Sequence, residues 1–244
     1  SSVISSHPFA ARDWQVVMGN FSFRPEKAGQ YKLRVKAAPQ AGESIENNEM
    51  TAFLNVRDGG LRVLLLAGGL GAEQKFLRRS LDESHDIELD YQRVNIRTRN
   101  RWPLNLQQQV DLAQYDVFVI GDVDSRAYRA EDWQRLAQLV DEGRGLMMYG
   151  GFHSFGPGGY SETALAAVLP IEMDRFEREI DPVSAKRVDR HVQGELVMLP
   201  VAANQSPITH LAPQGDNVGQ WRTLAPLQGA NRFDRLKDRS VVLA

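Results

Sequence analysis

A chain of 244 residues with 42% hydrophobic and 25% charged residues has the balance of a soluble globular protein, long enough for one large domain or two ordinary ones, and this excludes a disordered chain. Its net charge of −2 gives no general attraction to nucleic acid or anionic lipid. The absence of cysteine removes disulfides, thiolate metal sites and a cysteine nucleophile together.

The start, "SSVISSHPF", lacks the basic and apolar regions of a signal peptide, and no apolar run approaches the roughly 20 residues needed to cross a bilayer. The polar beginning and the strand-like end "SVVLA" lead us to expect a segment of a longer protein. The first sixty residues read as strands. "WQVVMGNFSFRP" supplies one or two short ones. In "GQYKLRVKAA", Tyr31, Leu33, Val35 and Ala37 alternate with basic residues. "NEMTAFLNVRD" repeats the period, with Met50, Ala52, Leu54 and Val56 on one face. Turn-forming segments rich in Pro, Gly and Asn separate these runs, so a small antiparallel sheet or partial β-sandwich is expected over residues 1–59.

After "RDGG" the period changes. "LRVLLLAGG" is continuously apolar from Leu61 to Ala67, the pattern of a strand buried on both faces. Phe76, Leu77 and Leu81 follow at helical spacing, then the strand "DIELDYQRV" and a second apolar strand in "YDVFVIGDVD". "AEDWQRLAQLVDEG" predicts an amphipathic helix with Trp133, Leu136, Leu139 and Val140 on its stripe and Gly143 as its stop, and "GLMMYGG" is the next strand. This alternation predicts a doubly wound, mostly parallel α/β domain over residues 60–244. "RFEREIDPVSAKRV" reads as a charged surface excursion, "ELVMLPV" and "SVVLA" as further strands, and the stretch between them as loop.

In such folds ligands sit at the carboxyl ends of the strands, which sets "AGGLG", "GDVD" and "GGFHSFGPGG" along one rim. "AGGLGAEQ" lacks the full dinucleotide fingerprint and reads better as a tight strand-to-helix turn; no Walker loop is present. Asp122 and Asp124 could bind a ligand or metal, but are equally the residues expected at a turn and helix cap. The five histidines, His7, His85, His153, His191 and His210, form no metal-binding pair. Arg93, Arg97, Arg99 and Arg101 beside Trp102 read as a solvated loop rather than a nucleic-acid patch. Ser154 has Gly156 two residues on but Phe152 two residues before, which is half of a nucleophile elbow. Catalysis there and a hydrogen-bonded glycine turn stand side by side.

The run "WQRLAQLVDEGRGLMMYGGFHSFGPGGYSETALAAVLPIEM", with "LRVLLLAGG" and "YDVFVIGDVDSRAY" before it, resembles the class I glutamine amidotransferase-like superfamily, specifically its bacterial glutamine amidotransferase group. The resemblance covers roughly residues 60 to 244 and implies a flavodoxin-like fold. The strands before it resemble the immunoglobulin-like module that precedes this domain in large membrane-anchored bacterial proteins. Working members carry a cysteine after the strand that here is "GLMMY" and a late His-x-Glu pair. Here the nucleophile position falls at Gly150, and His191 and His210 are followed two residues on by Gln193 and Ala212. Thiolate attack on glutamine needs both groups.

The chain is therefore expected to be a pseudoenzyme: a non-catalytic unit that binds a small molecule or a protein partner. Its expected ligand rim is Gly68, Gly69, Asp122, Gly150, Gly151, His153 and Ser154. No cofactor, metal or nucleic acid is expected, and membrane attachment, with the chain on the periplasmic side, is expected through segments outside it. The alternative is a hydrolase using Ser154 with His153 or another histidine, which requires a histidine nitrogen within about 3 Å of Ser154 Oγ.

Overall fold

The computed structural model describes residues 4–10, 21, 23, 25–38, 48–56, 59–69, 71–173, 191–201, 206–211, 216–233 and 235–244. The chain divides into two compact units, Ser1–Gly60 and Leu61–Ala244. In the first, strands β1 (Gly29–Lys36) and β2 (Glu49–Val56) pair antiparallel. Their register sets Tyr31 opposite Leu54, Leu33 opposite Ala52 and Val35 opposite Met50, so the alternating apolar residues of both strands share one face of the ribbon. Burial of that face was expected. It is only partial: Tyr31 and Leu33 are half-buried, while Met50 is 75% exposed. The strands expected in "WQVVMGNFSFRP" fall largely outside the described residues.

The second unit is an α/β domain around a four-stranded parallel sheet. Its strands are β3 (Leu61–Ala67), β4 (Ile87–Arg93), β5 (Val117–Gly121) and β6 (Gly145–Tyr149), in spatial order β4-β3-β5-β6. Val63 through Ala67 are all buried, as the continuous apolar run requires. Alternate residues of the central strands feed two separate cores. Leu64, Leu66, Phe118 and Ile120 pack on one side with Trp133, Leu136 and Leu139 of helix α3 (Ala130–Asp141). On the other side Val63, Leu65, Ala67 and Val119 pack with Leu77 of helix α1 (Ala72–Asp82). Each fully buried large side chain here contributes about 1.5–3 kcal/mol. The helical spacing placed Phe76 on the apolar stripe of α1, yet Phe76 is 69% exposed and Gln74 is buried in its stead.

A buried carboxylate ties α3 to the short helix α2 (Leu106–Gln109). Asp132, 1% exposed, accepts the backbone N–H groups of Arg129, Leu106 and Gln107 and the Gln107 side-chain amide, at 3.0 to 3.2 Å. Charge-assisted bonds of this number are what allow a carboxylate to sit in a core. Beyond the sheet, the one-turn helix α4 (Leu165–Val168) leads into β7 (Ile171–Glu172).

The remainder departs from the pattern read in the sequence. "RFEREIDPVSAKRV" lies outside the described residues. The strand expected at "ELVMLPV" is earlier: β8 is His191–Leu196, and the chain leaves it at Val197. The expected loop that follows contains helix α5 (Asn217–Arg222), capped by Asp216 accepting the Gly219 N–H at 2.9 Å, and strand β9 (Leu227–Asn231), antiparallel to β8. "SVVLA" forms no strand; the Ser240 hydroxyl donates to Pro170 O at 2.7 Å, and Leu243 O accepts the Val201 N–H at 2.8 Å. Instead β10 (Arg235–Leu236) pairs with β7, where Arg235 also bonds Glu172.

Candidate functional site

In the order β4-β3-β5-β6 the chain crosses from β3 to one neighbour and then back to the other, so the loops leaving β3 and β5 diverge. Open α/β sheets leave a crevice at the strands' carboxyl ends where this happens. A cleft of about 90 Å³ lies there. Gly68 and Gly69 line it from the end of β3, and Asp122, Val123 and Asp124 from the end of β5. Val94, Ile96 and Trp102, from the segment after β4, supply apolar lining, and His153 borders it from the loop after β6. It is well below the about 300–1,000 Å³ of pockets that bury a drug-sized ligand, so it suits a small chemical group rather than a whole large ligand.

Asp122 is the fixed point of the cleft. Its φ of 51 puts a non-glycine residue in the left-handed region, where strain of about 1–3 kcal/mol persists only if the surroundings hold it. Polar contacts and close packing hold it. Its N–H donates to Ser154 Oγ at 3.0 Å, and its Oδ1 accepts the His153 N–H at 2.7 Å and lies 3.3 Å from His153 Nδ1. Its peptide lies so close to Gly68 that a Cβ there would stand 1.9 Å from Asp122 O, and a Cβ on Gly151 would stand 2.6 Å from Asp122 Oδ1. Only glycine fits at either place.

The loop after β6 is built to support this residue. Ser154 is 0% exposed; while accepting from Asp122 it donates to Tyr149 O at 2.9 Å. Neither partner of its hydroxyl is a histidine, and a hydroxyl closed off from the cleft and directed at a carbonyl has neither access to a substrate nor a base. The hydrolase alternative requires a histidine nitrogen at Ser154 Oγ, and His153 Nδ1 instead lies 3.3 Å from Asp122 Oδ1. Gly150 faces Asn231, whose Oδ1 would lie 2.7 Å from a Cβ at that position. Asn231 itself clasps the next residue: its Oδ1 accepts the Gly151 N–H at 2.9 Å and its Nδ2 donates to Gly151 O at 3.1 Å. Below the loop, Tyr160 Oη donates to Val123 O at 2.8 Å and its ring meets Trp133 edge-on, with centroids 5.4 Å apart.

The other candidates divide between the cleft and the scaffold. Asp124 caps the turn that follows it, accepting the Arg126 N–H at 2.9 Å, and its second oxygen accepts from Arg126 Nη2 at 2.9 Å. Among the described residues no three His, Cys, Asp or Glu side chains are placed to hold a metal ion. Burial, with the Asp122 charge next in size, pushes the Tyr149 phenol up to about 12, so it stays protonated beside the cleft. Arg93, Arg97, Arg99 and Arg101 are exposed, in keeping with a solvated loop, and none lines the cleft.

Of the expected rim, Gly68, Gly69, Asp122 and His153 come together on the cleft, whereas Gly150, Gly151 and Ser154 lie behind it as supports. In the sequence Trp102 stands out only by its arginine neighbours, and Val94, Ile96 and Asn231 carry no motif. β6, one of the two outer strands of the sheet, is less buried than its apolar sequence suggests, with Met147 48% exposed. No helix among the described residues is long and apolar enough to cross a membrane. In comparisons with known proteins, no family model matches the chain, and neither does any curated protein.

Proposed function

We propose that this chain is a non-catalytic binding unit whose cleft, at the divergence of β3 and β5, takes a small ligand or a terminal group of a protein partner. On this reading the second unit is a degenerate class I glutamine amidotransferase-like domain with flavodoxin-like winding, and the first belongs to an immunoglobulin-like module. The strand order β4-β3-β5-β6 supports the winding, and the antiparallel β1–β2 pair supports a β module. The setting, on the periplasmic side of a larger bacterial membrane protein, comes from the sequence resemblance.

One observation carries the non-catalytic reading. At the strand end where a nucleophile would stand, Gly150 has no side chain, and the nearby hydroxyl of Ser154 is buried and bonded on both sides to its own fold. The arrangement spends a strained backbone and the side chains of Ser154 and His153 on positioning Asp122, not on activating an attacking group. The test is a thermal-shift screen of the whole chain against small charged and neutral metabolites, with glutaminase and esterase assays on the same preparation. A ligand that stabilises the wild type, and stabilises His153→Ala less, supports the reading. Turnover of glutamine or ester that disappears in a folded Ser154→Ala variant overturns it.

A further inference from the structure

We propose that the segment linking β4 to α2 is a docking surface for a short acidic stretch of a partner protein, whose Asp and Glu side chains pair with its arginines. The inference goes beyond the reading above and stands apart from whatever the cleft holds.

The sequence makes the segment one-sided in charge. Residues 91–110 contain Arg93, Arg97, Arg99 and Arg101 and no aspartate or glutamate. All four arginines are exposed. Three of them fall in a single 3-10 helix, Ile96–Arg101, which at about 2 Å per residue is about 12 Å long. Elsewhere in the chain Arg34, Arg62, Arg79, Arg126, Arg144 and Arg235 each bond a carboxylate. The side chains of Arg93, Arg97, Arg99 and Arg101 bond none among the described residues. Carboxylates of the adjoining elements are engaged by other groups: Asp90 by Tyr115 and Gln92, Asp122 by His153, and Asp124 by Arg126.

The fold does not need these charges, because other groups order the segment. Val94 is 1% exposed and its N–H donates to Ala67 O at 2.9 Å. Asn95 Oδ1 accepts the Arg97 N–H at 3.0 Å, and Thr98 Oγ1 donates to Asn95 O at 2.8 Å. Trp102 packs against the core, and the Leu104 N–H donates to Ala127 O at 2.8 Å. Arg97 and Arg101 stand four positions apart, where like charges oppose a helical turn. The four guanidiniums thus work against the element that carries them, on a backbone already held in place, so a partner need not order it.

Guanidinium forks suit carboxylate and phosphate alike, and the surroundings choose between them. A length of about 12 Å spans about four residues of extended peptide. A nucleic-acid strand or an anionic bilayer would extend further, over a chain of net charge −2 and over Asp122 and Asp124 of the cleft that Ile96 and Trp102 also line. Trp102, the aromatic residue beside these arginines, is half-buried, whereas proteins that bind single strands expose aromatic rings for the bases to stack on.

The probes are a fluorescent tetraglutamate amide, its tetraglutamine counterpart, a thymidine octanucleotide with the same fluorophore, and phosphatidylcholine–phosphatidylserine vesicles. Anisotropy, and co-sedimentation for the vesicles, follow binding to the whole chain at about 0.02 M and about 0.15 M salt. Tetraglutamate is expected to bind saturably at the lower salt, more weakly at the higher, and more tightly than the other three probes. Arg97→Gln with Arg99→Gln should weaken it about fivefold, the scale of two exposed ion pairs, and should leave the urea midpoint unchanged or raised. Removing the same charge from α1 and α5, with Arg79→Gln and Arg222→Gln, should change binding by less than about twofold. Equal binding of tetraglutamine, an equal effect of the two double variants, or no saturable binding of tetraglutamate overturns the proposal. So does tighter binding of the octanucleotide or the vesicles, which would hand the surface to a different partner, or a loss of stability in the first double variant, which would make the arginines structural. None of these results bears on the cleft, whose reading is decided by the thermal-shift screen.

Discussion

Removing one oxygen atom, in Ser154→Ala, separates a structural hydroxyl from a catalytic one. The side chain is wholly buried; it accepts the Asp122 N–H at 3.0 Å and donates to Tyr149 O at 2.9 Å, so alanine deletes both contacts where water does not reach. Each buried polar group deprived of a partner costs about 1–3 kcal/mol, and the hydroxyl's own desolvation, no longer required, returns about 1 kcal/mol, for a net loss of about 1–5 kcal/mol. Against a total of about 5–15 kcal/mol this is a large fraction, and for a chain of this size it lowers the thermal midpoint by about 2–20 °C. Urea unfolding followed by near-ultraviolet circular dichroism measures it directly. A variant within about 0.5 kcal/mol of the wild type would refute the reasoning, because it would mean that the hydroxyl is not committed to the loop.

Gly68→Ala should cost about 2 kcal/mol or more in urea unfolding, since the new Cβ would stand 1.9 Å from a backbone oxygen that cannot swing away. Gly71→Ser should instead stabilise by about 0.5 kcal/mol in calorimetry, because Gly71 caps α1 without a side-chain bond, at an ordinary φ of −62 and in open space. Asp132→Ala should destabilise by about 3 kcal/mol or more, since three backbone N–H groups lose their acceptor together; unchanged stability would refute the tie between α2 and α3. Alkali should also weaken the fold. The Tyr149 phenol ionises near its ordinary value of about 10 when unfolded but only at about 12 when folded, so its contribution is complete below pH 10 and is lost as pH rises towards 12. Tyr149→Phe should flatten that part of the stability profile, and tyrosinate absorbance should show one late-titrating group fewer.

What could be read in advance follows from how local each signal is. β3, β5 and α3 were legible because uninterrupted burial and a 3.6-residue stripe are written within a dozen consecutive residues. β9, "LQGAN", alternates nothing and exists through its pairing with β8, so no window of sequence could reveal it. The cleft was legible in outline, since glycine turns and acidic residues at strand ends point to the carboxyl edge of the sheet. Which of those residues face it was not. Ser154 and Asp122 are 32 positions apart, and only the folded loop decides that one hydroxyl serves the other's backbone. Trp102 stood in a segment whose arginines drew the eye, while its burial depends on packing against the core beneath α3.

The clasp between Asn231 and Gly151 has a consequence for anyone dividing this chain into parts. Its two hydrogen bonds span 80 positions and reproduce, with a side-chain amide, the reciprocal pairing that two neighbouring strands exchange. The antiparallel β8–β9 pair, through Asn231 at the end of β9, thus holds the loop that lies behind the cleft. A fragment ending after β7 would keep every described residue that lines the cleft, and yet would release the loop that orients Asp122 and His153.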